Sequence, residues 1–144
     1  MQAGSCLVEV IIATAILIIM VAGLLNSFGY GFLVTQVVRE NQRATQIILE
    51  KVEIIRLYNW DQVNTSGFIP ATFTDVYDPQ STSSPGITYN GTLTITPYPG
   101  GGASYSANIK QLVITLQWTT ANRIPHSRTL ATLIAKDGIQ NYVY

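Results

Sequence analysis

From Val10 to Val38 the chain carries no charged side chain, and Glu9 stands alone at the edge of that run. Its apolar core is Val10–Leu25 (VIIATAILIIMVAGLL), preceded by Gly4-Ser5-Cys6-Leu7-Val8-Glu9. Wound as a helix, this core spans roughly 24 Å, and the uncharged continuation is long enough to cross a bilayer core of about 30 Å. Met1–Gly4 contains no Lys or Arg, unlike an ordinary secretory signal. The segment reads as a single membrane-spanning helix. A carboxylate at the centre of such a helix costs on the order of 2.5–3.5 kcal/mol. Either something offsets that cost, or Glu9, only a few residues from the chain start, lies at the headgroup boundary and is spared it.

No proline occurs between Ser5 and Tyr58, so the spacing predicts one helix that would extend roughly 80 Å. Up to Leu25 it is apolar on every side, the signature of burial in lipid or among other helices. Beyond Arg39 it turns amphipathic. Val37, Ala44, Ile48, Val52 and Ile55 recur at helical spacing, with Arg39, Glu40, Arg43, Glu50, Lys51 and Glu53 expected elsewhere around the axis. That apolar stripe needs a globular partner. Gly23, Asn26, Ser27, Gly29 and Gly31 lie between the halves, and each glycine weakens a helix by about 1 kcal/mol relative to alanine. Two readings stand: close helix packing in a membrane, or a segment poised to unwind.

After Trp60 the texture changes to loops and strands. Residues 61–86 are rich in Thr, Ser, Asp, Pro and Gly and are expected to form a loop, tacked down by Phe68, Ile69, Phe73, Val76 and Tyr77. Thr88–Thr96 alternates, with Leu93 and Ile95 on one face and Thr92, Thr94 and Thr96 on the other. Ile109–Thr119 is expected as a second strand with Leu112, Ile114, Leu116 and Trp118 facing the core. Ala121–His126 reads as a loop and Ser127–Lys136 as a third strand. The last two strands pair as a hairpin, giving an α+β chain whose sheet covers the amphipathic half of the helix.

Composition removes several functions. Eight basic residues balance eight acidic ones, so no broad attraction to nucleic acid or anionic lipid is implied. A single cysteine, Cys6, precludes an intrachain disulfide. With His126 the only histidine, no His/Cys cluster is available for zinc or nucleophilic catalysis, and His126 reads as a turn residue. Asp75 and Asp78 are too few for an oxygen cage. Tyr98, Tyr105, Tyr142 and Tyr144 read as strand and loop packing, with an adhesive surface as the sharper alternative. Asn64-Thr65-Ser66 and Asn90-Gly91-Thr92 match the glycosylation pattern, a short signal. No phosphate-binding glycine loop is visible. Neither a cofactor nor an enzyme activity is expected.

The run Gly4-Ser5-Cys6-Leu7-Val8-Glu9-Val10 resembles the processing motif of type IV prepilins, Gly-Phe-Thr-Leu-Ile-Glu followed by about twenty apolar residues. Gly4, Leu7, Val8, Glu9 and the apolar run carry the match, with Ser5 where phenylalanine is usual. The order of long helix, variable loop and antiparallel sheet is also similar to pilins and pseudopilins. The resemblance implies a leader at 1–4, a membrane-spanning and filament-core helix half at 5–33 and an amphipathic half at 34–60. A variable loop at 61–86 and a sheet region at 87–144 follow. It implies cleavage by a prepilin peptidase between Gly4 and Ser5, N-methylation of Ser5, and pairing of Glu9 with the terminal amine of a neighbouring subunit. At about 4 Å and an effective dielectric of 20, such a pair gains roughly 4 kcal/mol, enough to offset burial. Gly23, Asn26, Gly29 and Gly31 would mark the segment that melts on assembly.

The implied partners are other pilin subunits, the prepilin peptidase, an inner-membrane assembly platform and, before assembly, membrane lipid; no nucleic acid is indicated. The implied location is the inner membrane, single-pass with a periplasmic C-terminal domain, and afterwards a periplasmic or extracellular filament. Arg39 and Arg43 follow the span, and the positive-inside rule taken alone would favour the opposite orientation. The alternatives are a minor pseudopilin of a type II secretion system and, from another class, a signal-anchored β-rich binding or adhesion module.

Overall fold

The computed structural model describes residues 3–100, 102, 105–120, 122–136 and 138. Met1 and Gln2 of the expected leader lie outside the described residues, as do Tyr142 and Tyr144. The elements are helix α1 (Ala3–Arg56), short helix α2 (Trp60–Asn64), strands β1 (Thr72–Val76) and β2 (Thr88–Pro97), a 3-10 turn at Ser106–Asn108, and strands β3 (Ile109–Thr119) and β4 (Pro125–Ala135). The chain divides into two compact units, Met1–Arg39 and Glu40–Tyr144.

The first unit is helix alone. Its backbone is helical through Gly23, Gly29 and Gly31, and added methyl groups there would meet nothing. Three hydroxyls of the segment bond back to their own helix. Thr14 Oγ1 donates to the carbonyls of Val10 and Ile11, Ser27 Oγ to Gly23, and Thr35 Oγ1 to Gly31, each at 2.9 Å.

In the second unit the sheet order is β1-β2-β3-β4, every neighbouring pair antiparallel. The end of α1 covers one face. Ala44, Ile47, Ile48, Val52 and Ile55 join Tyr89, Leu93, Leu112, Ile114, Leu116, Trp118 and Ile134 in one buried cluster. The strand period of two puts the even residues of β3 inward, as the alternation predicts. Tyr58 then meets Phe68 edge-on at 5.6 Å, and Asn59 caps α2 through a reciprocal bond pair with Gln62.

The structure departs from the sequence expectations at several places. The stretch expected as loop contains most of α2 and the edge strand β1. β1 forms because its Phe73 lies opposite Gly91, where a Cβ would run into the Phe73 ring. The aromatic ring covers the backbone that glycine leaves bare, a pairing visible only once the register is known. Asp75 is a strand residue and not a loop residue. His126 belongs to β4, which starts two residues earlier than expected because the turn closes tightly. Thr120 and Ile124 bond through backbone and side chain, with Arg123 in the left-handed region at φ 60°. Glu40, expected elsewhere around the axis than the apolar stripe, is only 3% exposed.

Candidate functional site: an uncovered apolar helix with one carboxylate

Side chains from Leu7 to Gln36 are exposed throughout, and the larger apolar ones are bare to an unusual degree, Phe32 at 76% and Ile19 at 71%. An 18-residue window of this helix reaches a mean hydropathy of 2.7 with none of it buried. Burying one large aliphatic side chain gains about 1.5–3 kcal/mol, so exposure on every side of a helix demands a partner phase. The helix is therefore a candidate membrane anchor.

Glu9 sits on the rim of a shallow depression of about 560 Å³ formed with Val8, Ile12, Ala13 and Ile16. Ile12, Ala13 and Ile16 follow Glu9 on the same side of the helix, and the small Ala13 opens the space beside the carboxylate. Glu9 has no hydrogen-bond or ion-pair partner among the described residues. The arrangement offers one acceptor group at the edge of an apolar surface. It can anchor a cation or amine brought by another molecule. Gly4 and Ser5 lie in the first turns of α1. Asn26, Gly29 and Gly31 lie further along the same unit, and the structure brings none of them to Glu9 in this single chain.

The second unit holds the polar groups that sequence reading missed. Arg43 reaches from α1 to Asp75 of β1 at 3.5 Å and to the Val76 carbonyl at 3.5 Å. The Tyr89 hydroxyl donates to the main-chain carbonyl of Glu40 at 3.0 Å, although Tyr89 itself is fully buried. Burial first, then the charge of Glu40, pushes the Tyr89 hydroxyl far above the ordinary value of 10.0, against an opposing pull from Arg43. These bonds lock the amphipathic end of α1 on the sheet. The burial of Glu40 had one available signal, its place one turn before Ala44 on the same stripe.

Tyr89→Phe is expected to cost about 1 kcal/mol at neutral pH by removing one buried hydrogen bond. The neutral phenol is favoured in the folded state, so its contribution is full below pH 10.0 and is lost as pH rises above it. Stability of the wild-type unit should thus fall more steeply than that of Tyr89→Phe in alkaline titrations followed by circular dichroism.

The remaining candidates are dispersed. Asp78 accepts from the Gln80 amide at 3.0 Å in the turn after β1, while Asp75 is engaged by Arg43, so the two aspartates share no site. Among the described residues no group of His, Cys, Asp and Glu forms a metal cluster. His126 stacks on Trp118 with ring centroids 5.5 Å apart and planes at 16°. Compared with known proteins, the chain matches no family model, no curated protein and no solved structure.

Proposed function

We propose that this chain is a structural subunit of a type IV pilus or pilus-like filament. The carrying observation is a fully uncovered apolar stretch of helix, Leu7–Gln36, whose sole charge, Glu9, follows Gly4 in the prepilin register. The α+β build supports the reading, because the amphipathic end of that helix is already satisfied by its own sheet. Only the apolar half is left needing a partner. In this reading the subunit waits in the inner membrane with its sheet unit on the periplasmic side. After cleavage between Gly4 and Ser5, the new amine (methylated or not) faces Glu9 of a neighbour in the filament core. Gly23–Gly31 is the stretch that loses helical bonds on assembly. Ser27 and Thr35 already bond back to Gly23 and Gly31 carbonyls, a pattern that bends and slightly weakens helices.

Processing tests this reading. Intact mass of the membrane-extracted protein, expressed with a prepilin peptidase, should correspond to a chain beginning at Ser5. Gly4→Val should leave the full-length mass. An uncleaved wild-type protein in assembled filaments would overturn the proposal and favour a signal-anchored module instead.

A further inference from the structure

The face of the sheet turned away from α1 is built differently from the core face. By the observed register it carries the row Thr72, Thr92, Thr115 and Thr129 across all four strands, and beside it Thr74, Asn90, Gln117 and Ser127. The charges within the strands, Asp75, Lys110 and Arg128, all fall on the opposite face, because each pairs in register with an inward-facing residue. The outward face of the strands is therefore free of charge. Toward the β3–β4 turn it forms a cleft of about 550 Å³, floored by the strand segment that carries Trp118 and His126. Ligand pockets range over roughly 300–1,000 Å³, so the space suits a small ligand.

We infer that this cleft is a binding site for neutral, hydroxyl-rich ligands, of the class of uncharged oligosaccharides. Asn90 and Gln117 lie directly opposite each other on β2 and β3, with Thr88, Thr119 and Ser127 around them. None of these exposed side chains bonds to another described residue, whereas the neighbouring threonines do: Thr115 Oγ1 and Thr129 Oγ1 meet at 3.0 Å, and Thr92 Oγ1 reaches the Thr115 carbonyl. Each primary amide offers two N–H donors and a carbonyl acceptor, and each hydroxyl offers both functions. Vicinal hydroxyls need that mixture of donors and acceptors. Pro125 adds a flat apolar surface of the kind the C–H face of a sugar ring can cover. The lining offers no lysine or arginine to hold an anionic ligand, and a polypeptide would find no exposed aromatic anchor. The site belongs to the sheet unit and stands whether or not the filament reading does.

The test uses the full chain in dodecylphosphocholine micelles, a detergent without a sugar headgroup. Cellotetraose and chitotetraose are titrated in separate experiments, with a sulfated heparin tetrasaccharide as the charged counter-probe. Amide shifts of Thr88, Asn90, Gln117 and Ser127 should move with at least one neutral probe at millimolar concentration and stay still with the sulfated one. Asn90→Asp/Gln117→Glu keeps shape and adds charge, and Asn90→Ala/Gln117→Ala removes the amides. Both should weaken binding about tenfold or more with an unchanged melting midpoint, because both positions are exposed. No shift with either neutral probe at about 10 mM, or equal binding by both double variants, would overturn the assignment. So would comparable binding of the sulfated probe, or shifts explained by self-association through this face.

Discussion

Glu9→Ala is expected to leave the subunit in the membrane at the wild-type level while its share of sheared filaments drops about tenfold or more. The carboxylate has no partner within the described chain, and the second unit that carries the sheet begins only at Glu40. Folding of the sheet unit should therefore be untouched. Insertion should be as good or better, since a residue costing on the order of 2.5–3.5 kcal/mol at a membrane helix centre is gone. What disappears is the group that can hold a neighbour's terminal amine. A loss of even about 1.4 kcal/mol from that contact is a factor of ten in incorporation. The measurement is competition between tagged mutant and wild-type subunits in the same cells, reading membranes and filaments separately. Equal incorporation would make Glu9 a boundary residue with no part in assembly.

Trp118→Ala should unfold the sheet unit at markedly lower temperature, with a loss of about 3–5 kcal/mol. Trp118 is only 3% exposed, lies 5.4 Å from the Tyr89 ring and is stacked on His126. Its removal leaves a cavity between strands whose backbones cannot collapse inward. The same change takes away the surface that holds Tyr89 against the Glu40 carbonyl. Leu133→Ala is the matched comparison, because Leu133 is 50% exposed on the outward face of β4. It should cost less than about 1 kcal/mol. Thermal melts followed at the far-ultraviolet strand signal distinguish the two, and similar losses would mean that the buried cluster is not the source of stability.

The long helix was legible because absence of proline, a full apolar run and then a stripe at helical spacing all agree over many turns. The core faces of β2 and β3 were legible for the same reason at the shorter period. β1 was not. It is a short, polar-flanked segment whose only strong signal, Phe73, acquires meaning through Gly91, a residue distant in sequence. His126 was misplaced because Pro125 reads as a turn residue, whereas here it opens an edge strand where its missing N–H faces no ladder partner. The inward positions of Glu40 and Arg43 were hidden by their charge. Side chains of that kind usually mark a solvated face, and the Asp75 carboxylate that accompanies the burial of Arg43 comes from a strand distant in sequence. Of the candidate site, the helix and its carboxylate were visible in the chain. The cleft on the outer sheet face was not, since it depends on the register of three strands.

The local spending of hydroxyls in the apolar helix has a consequence for how freely it can exchange surroundings. Thr14 and Ser27 each satisfy a hydroxyl proton on their own helix, so neither asks anything of a neighbour. A surface of that kind presents nearly the same energy to a hydrocarbon tail as to another helix, and transfer between the two is close to thermoneutral for those residues. Between Val10 and Phe28 the one polar side chain left uncommitted among the described residues is the carboxamide of Asn26. Between Glu9 and Phe28, passage from one medium to the other is then decided at two addresses, Glu9 and Asn26, while the remaining surface of that stretch acts as a lubricant that favours neither state.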